Sequence, residues 1–266
     1  MKNLQIVGQL FIACALVAFG VQHFVLGSLV TRAFPSLPAW MPSAPALAYA
    51  AGLLLCATGL AVLAKFKART FCLVLAAAIG AAFALFLLPS LLAEPRNPML
   101  WTNSGKALVL AGACLLVAGS VSAGTGTGGK ADACIATGTL SLSGFFVLAA
   151  IQHVMYAGFV ATLIPDFIPG HLFWTYFAAV ALIAGAIGML VPRTAQLAAR
   201  MSALMVFLWV LLLHIPRVLT IRDANETTAL FEALAMCGMA LLVAAHARAV
   251  APVAQVERAP SRHAQG

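Results

Sequence analysis

Histidines carry most of the chemical potential of this sequence. His23 and His153 each follow a glutamine, and His214 opens a His-Ile-Pro-Arg segment that ends at Arg217. A neutral imidazole can ligate haem iron or another metal, and it can hydrogen-bond to a quinone oxygen. It can also donate to a neighbouring helix, which is worth about 0.6 kcal/mol and serves packing alone. The sequence leaves both interpretations open.

Two residues of opposite charge, Lys106 and Glu232, stand near the start of two apolar segments. If those segments meet, the two charges can pair and relieve each other's desolvation; otherwise both lie among lipid headgroups. Together with Trp101, they join the three histidines and Arg217 as candidate ligand-contacting residues. The sequence assigns no catalytic residue and predicts no metal site.

The composition decides which kind of element must position these residues. Of 266 residues, 63% are hydrophobic and 8% are charged, whereas soluble domains are roughly 45–50% apolar and about 25% charged. This excludes a cytosolic enzyme, a nucleic-acid-binding protein and a disordered chain. The net charge of +8 therefore concerns orientation in a bilayer. The predicted partner is the lipid bilayer, and no nucleic acid is expected.

Runs without charged residues predict an all-α fold with eight transmembrane helices. Six runs are long enough to span a bilayer, and two shorter ones fall just below about 18 residues but have a flanking Arg217 or Glu232 that can reach the interface. The predicted helices cover residues 5–28, 46–64, 70–92, 105–123, 139–163, 172–191, 201–219 and 229–247. The proline-rich residues 34–45 around Trp40 are predicted to form an interfacial loop.

Eight crossings place both termini on one side of the membrane. That side carries ten basic and two acidic residues, and the other side carries five of each, so the terminus side holds the whole net charge. The positive-inside rule predicts that both termini are cytoplasmic, in a multi-pass protein of the cell inner membrane. His23, His153 and His214 then lie toward the outer leaflet, with His171 at the outer interface.

The chain also repeats itself. His23 and His153 stand at matching positions of the two halves, and so do Lys106 and Glu232. Because each half contributes four helices, both halves have the same orientation, which predicts two parallel four-helix repeats. The predicted divisions are a first repeat at 1–123, a cytoplasmic linker at 124–138, a second repeat at 139–247 and a disordered cytoplasmic tail at 248–266.

The order of polar residues resembles the DoxX-like family of membrane proteins. That family's unit has an early buried histidine, a loop rich in proline and tryptophan, a helix that opens with a tyrosine, a helix that ends in His-x-Pro-Arg, and a last helix that follows Trp-Thr-Asn-x-x-Lys-Ala. The matching residues are His23 and His153, Pro35 to Pro42 with Trp40, Tyr49 and Tyr176, His214 to Arg217, and Trp101 to Ala107. The halves divide these features, so only both halves together hold the complete set.

This resemblance implies a non-catalytic or quinone-linked subunit of a membrane redox system, because DoxX-like proteins are associated with quinol oxidases and membrane oxidoreductases. The implied cofactor is a quinone or a haem, and the implied partner is a membrane oxidoreductase. Thiol-disulfide catalysis is not expected, since no cysteine falls in a predicted outer loop and no Cys-x-x-Cys occurs. The alternative is a small-solute carrier or permeability factor with its site between the repeats. Scaffolding without a ligand is a third interpretation, and whether the protein is an enzyme stays open.

Overall fold

The computed structural model describes residues 2–29, 44–122 and 128–247, and these ranges contain helices and no strands. Eight of the helices in these ranges are long and apolar enough to cross a membrane. They are α1 (Lys2–Leu26), α2 (Ala44–Leu63), α3 (Ala68–Ala93), α4 (Pro98–Ser120), α5 (Gly128–Met155), α6 (His171–Leu190), α7 (Ala195–Ile221) and α8 (Ala224–His246). The prediction of an all-α multi-pass membrane protein with eight spans is confirmed at this level.

Several helices begin earlier than predicted, because charged residues were taken as the limits of the spans. Helix α4 begins at Pro98 rather than 105, where the Asn97 side chain accepts the Met99 N–H at 3.1 Å. Asn97 thus satisfies a free N–H at the helix start, and proline has the φ angle that a first helical residue needs. Helices α7 and α8 likewise begin at Ala195 and Ala224 rather than 201 and 229.

The connection between the two halves of the chain is shorter than predicted. Helix α5 begins at Gly128, so residues 128–138 of the predicted linker are helical. The same helix ends at Met155 rather than 163, and a separate short helix, Ala157–Ala161, follows it. The rest of the predicted linker, the loop around Trp40 and the tail at 248–266 lie outside the described residues.

Each spanning helix packs against its neighbours in sequence, and α8 closes the arrangement by packing against α1. Helices α4 and α8 also meet each other. We call α1 to α4 the first group and α5 to α8 the second group. Contacts across the boundary between them are made by α1 with α8, and by α4 with both α5 and α8.

Glycines allow two close helix crossings. A Cβ added at Gly8 of α1 would lie 2.7 Å from the carbonyl oxygen of Gly238 in α8, and the reverse distance is also 2.7 Å. A Cβ added at Gly138 of α5 would lie 2.6 Å from the carbonyl oxygen of Gly112 in α4. Small residues let helix backbones approach closely, and this packing drives helix association in membranes, where the hydrophobic effect between helices is absent.

Helices α3 and α7 each contain one wide turn of π-helix, at Phe83–Leu87 and Val210–His214. A proline, Pro89 or Pro216, follows each turn and cannot donate a backbone N–H to the helix. In α7 the N–H of Ile215 bonds to the carbonyl of Val210, five residues earlier. The wide turn therefore changes which carbonyls are available to side chains near the proline.

Candidate functional site

Polar contacts join the helices at the end of the bundle where α1, α5 and α7 finish and α4 and α8 begin, which we call the distal end. The side-chain amide of Gln22 in α1 donates to the backbone carbonyl of the first residue of α8 at 3.2 Å, and the Thr228 hydroxyl donates to Oε1 of the same amide at 3.3 Å. Gln152 of α5 donates to the carbonyl of the first residue of α4 at 3.2 Å, and Thr102 donates to Gln152 at 3.0 Å. Sequence analysis did not select these residues, although the glutamine before each histidine was a signal.

A cavity of about 90 Å³ opens among α1, α2, α4 and α8. Its polar lining consists of His23, Lys106, Thr228 and Glu232, and the other lining residues are apolar: Phe19, Leu55, Ala107, Val109, Leu110, Ala113, Ala235 and Met236. On α1, α4 and α8 the polar residues stand nearer the distal end than most of the apolar ones. The cavity therefore has a polar side and an apolar side, which suits an amphiphilic molecule. It brings together three of the seven predicted site residues.

Lys106 and Glu232 form an ion pair between α4 and α8. The Nζ to Oε2 distance is 2.7 Å, and the side chains are 31% and 19% exposed. The two charges therefore pair rather than lie apart among headgroups, which was one of the two outcomes left open by the sequence. One ammonium group can donate three hydrogen bonds and a carboxylate can accept several, so each partner keeps capacity for a ligand.

His23 is 8% exposed, and its Nδ1 lies 2.7 Å from the carbonyl oxygen of Phe19. A carbonyl oxygen only accepts, so Nδ1 carries the hydrogen of this bond. In the neutral imidazole, Nε2 is then the acceptor nitrogen. The local helix contact thus fixes the tautomer of a histidine that lines the cavity.

His153 makes the same local bond, with Nδ1 2.7 Å from the Ala149 carbonyl oxygen, but it has different surroundings. Its ring stacks on Trp209 of α7, with the ring centroids 6.5 Å apart. It therefore packs within the second group of helices, and it is not among the residues that line the cavity. The structure does not bring His23 and His153 to one common site.

Arg217 is held by partners of its own. Its guanidinium donates to both carboxylate oxygens of Glu226, at 2.6 and 2.8 Å, and to the Leu163 carbonyl oxygen at 3.1 Å. This joins α7, α8 and the connection between α5 and α6. Sequence analysis missed Glu226, although it follows Arg217 closely in the chain, just across a tight turn.

The two remaining predicted residues lie outside the cavity lining. Trp101 is 44% exposed, and its indole N–H donates to the Pro95 carbonyl oxygen at 2.8 Å, so it braces the connection between α3 and α4. His214 ends the wide turn of α7, and its Nδ1 is buried. Arg217, Glu226 and Lys106 are close enough to interact electrostatically with its ring.

The cavity is too small to hold a haem, and it has room for only part of a single ring. It is smaller than the roughly 150 Å³ apolar cavity that admits benzene, so it can take the edge of one ring while the rest of the molecule lies outside. Lys106 offers donors to a ring carbonyl, and Glu232 offers an acceptor to a ring hydroxyl. A haem needs a much larger cavity. The candidate ligands for its iron are also separated, because His23 lines the cavity whereas His153 stacks on Trp209 of α7. Within the described part of the chain, no three His, Cys, Asp or Glu side chains are grouped to hold a metal ion.

Two thiols meet in the protein interior. Cys72 of α3 and Cys114 of α4 lie close together, and both residues are fully buried. Sequence analysis treated the cysteines as separate packing residues and did not foresee this contact. Neither sulfur is open to a protein partner, so the pair packs α3 against α4.

A family model, described as a domain of unknown function (DUF8561), matches residues 142–251. This range begins inside α5 and extends just beyond α8, so it corresponds to most of the second group of helices. No curated protein matches the chain. No solved structure matches it either.

Proposed function

We propose that this protein is a DoxX-like membrane protein of two parallel four-helix repeats that binds a quinone-class ligand in the cavity beside His23. It would serve as a non-catalytic or quinone-linked subunit of a membrane redox system. The observation that carries the proposal is the ion pair of Lys106 and Glu232 together with His23 in the lining of one amphiphilic cavity.

Contacts that recur at corresponding positions of the two groups of helices support the two repeats. The Gln22 contact with the start of α8 corresponds to the Gln152 contact with the start of α4. The close crossing at Gly8 corresponds in the same way to the one at Gly138. The wide turns lie in the third helix of each group, and a proline follows each of them. Local bonds, helix crossings and helix irregularities thus agree with one duplicated unit, and the family match to residues 142–251 suits a unit of this size.

The two groups of helices differ in what covers the histidine of their first helix, and the proposal requires a histidine that is not covered by another ring. In the second group the imidazole of His153 stacks on Trp209, the residue just before the wide turn of α7. The residue just before the wide turn of α3 is Ala82, whose methyl group cannot cover a ring as an indole does. The corresponding position of the first group therefore carries no aromatic ring. The cavity that His23 lines is formed by α1, α2 and α4 of this group together with α8. The ligand would place its ring oxygen near Lys106 and its apolar part against Phe19.

Filling the cavity tests this proposal. The wild-type protein, purified in mild detergent, is expected to retain quinone that solvent extraction and chromatography detect. Ala107→Phe puts a ring into the cavity from a lining position and should lower the quinone content about tenfold, equivalent to about 1.4 kcal/mol of binding free energy. The matched control is Ala81→Phe on an exposed part of α3, which should retain quinone. Equal quinone content in the two variants, or none in the wild type, would refute the proposal.

A small-solute carrier is the second candidate function. The observation in its favour is the position of the Lys106–Glu232 pair between α4 and α8, the last helices of the two proposed repeats. A site with both charges could hold a small zwitterion. Proteoliposomes that take up labelled solutes with the wild type but not with Lys106→Met would favour this function over quinone binding.

We also propose that the protein lies in the cell inner membrane with both termini in the cytoplasm. The distribution of basic residues supports this orientation, because the terminus side carries ten and the distal side five. The distal end would then face outward. Alkaline phosphatase fused after Gly266 should be inactive, and an active fusion would reverse the orientation.

A further inference from the structure

Five side chains inside the spanning helices near the distal end interact electrostatically with one another: Lys106, His214, Arg217, Glu226 and Glu232. Such residues are costly in a membrane and commonly mark pathways for ions or protons. Two ion pairs, Lys106 with Glu232 and Arg217 with Glu226, account for four of them. His214 is the fifth, and neither pair includes it.

His214, at the end of the wide turn of α7, lacks the local bond that other histidines make. His23, His153 and His246 each direct Nδ1 at the carbonyl four residues earlier. The corresponding carbonyl for His214 belongs to Val210, which accepts the backbone N–H of Ile215. The Nδ1 of His214 is buried and hydrogen-bonds to no group in the described part of the chain. A buried nitrogen of this kind costs free energy unless water or another group completes its bonding.

The wide turn that ends at His214 packs against α8, which carries the carboxylates of both ion pairs, Glu226 and Glu232. The charged groups that act on its ring are Arg217 on its own helix, Glu226 on α8 and Lys106 on α4. Glu226 in turn interacts with Asp223, the exposed residue that caps α8 at the distal end. Titratable groups are therefore distributed along α7 and α8 from the distal surface toward the ion pair that lines the cavity.

We propose that His214 transfers protons between the distal surface and the Lys106–Glu232 pair. A proton arriving from the distal side forms an N–H bond at Nδ1. The N–H bond at Nε2 of the imidazolium then breaks, and water carries this proton to the Glu232 carboxylate, where an O–H bond forms. The imidazole returns to its neutral form, and the cavity gains one positive charge. This rests on the proposed function in one respect, because quinone-class ligands exchange protons when they change redox state.

Infrared spectroscopy after a pH jump tests the transfer without any ligand. In wild-type protein in lipid nanodiscs, acidification should produce a carboxylic acid C=O band that Glu232→Gln removes. His214→Gln should slow the appearance of this band about a hundredfold, the scale of a positioned proton-transfer group. The matched control is His171→Gln at the distal start of α6, which should leave the rate unchanged.

A second variant separates proton transfer from a structural role. In His214→Ala, free imidazole added to the buffer should restore the fast rate, which no purely structural defect would show. An unchanged rate in His214→Gln, no rescue by imidazole, or the absence of a Glu232 band would each overturn the proposal. Quinone content is measured on the same preparations. Slow transfer in a protein without quinone would therefore refute the proposed function alone, and bound quinone with unchanged transfer would refute this inference alone.

Discussion

Reversing the charge of Lys106 should destabilise the protein, and reversing Glu232 as well should restore most of the loss. Lys106→Glu places two carboxylates between α4 and α8, and Glu232→Lys places two ammonium groups there. The double variant recreates an ion pair of opposite polarity at the same two positions. These three variants and the wild type form a double-mutant cycle.

The structure sets the size of the effect. At an Nζ to Oε2 distance of 2.7 Å and an effective dielectric constant of about 20, the gross attraction is about 6 kcal/mol. Desolvation of the two groups offsets most of this. The side chains are 31% and 19% exposed, so the net value falls between about 0–1 kcal/mol for surface pairs and about 3–5 kcal/mol for breaking buried ones. We expect each single variant to lose about 2 kcal/mol.

Thermal unfolding followed by tryptophan fluorescence in detergent measures this loss. For a chain of this size, about 2 kcal/mol corresponds to a decrease in Tm of roughly 4–8 °C. The double variant should recover to within about 2 °C of the wild type. Single variants as stable as the wild type would refute the argument, and so would a double variant whose loss equals the sum of the two single losses.

Three further predictions concern packing, the Arg217 contacts and helix capping. Gly238→Leu should prevent the close approach of α8 to α1 and abolish a monodisperse gel-filtration peak. A Cβ added at Gly80 meets no atom within 4 Å, so the control variant Gly80→Leu should elute like the wild type. Arg217→Lys should keep the charge but lose the paired bonds to Glu226, so limited proteolysis between Ala157 and Gly170 should be faster than in the wild type. If cleavage there is equally slow, Arg217 does not hold that connection. Asn97→Ala should cost about 1 kcal/mol by leaving the Met99 N–H without its cap, measurable as a lower Tm. Asn97→Asp serves as the control that keeps a capping oxygen, and equal Tm values for the two variants would contradict this reasoning.

The number of spans could be predicted from the sequence because membrane insertion depends on local properties. Length and apolarity of each segment decide whether it can cross, and both are visible without the fold. The helix starts at Pro98 and Ala224 were predicted wrongly, because they depend on a contact between two distant segments rather than on local properties. The predicted helices start at 105 and 229, close to the charged residues Lys106 and Glu232 that bound the apolar runs. Only the contact between these two residues explains why each helix begins well before its charged residue.

The candidate site could be predicted only in part. Residue type pointed to His23, Lys106 and Glu232, and these do line one cavity. Sequence could not separate them from Trp101 or His153, because which residues share a space depends on how the helices rotate and on which large side chains fill the gaps. The indole of Trp209 takes the space beside His153. Such packing is a property of the whole bundle rather than of any one segment.

The order in which the chain is made gives the Lys106–Glu232 pair a further consequence. Almost half of the chain separates Glu232 from Lys106, which at about 5–20 residues per second is a delay of roughly 6–25 s in synthesis. During that delay the carboxylate of Glu232 has not been synthesised. The flexible side chain of Lys106 must then keep its ammonium group near the lipid headgroups. The helix that neutralises it, α8, is also the one that seals the bundle against α1. A chain whose synthesis stops before α8 is made therefore has an open bundle and an uncompensated cation inside it.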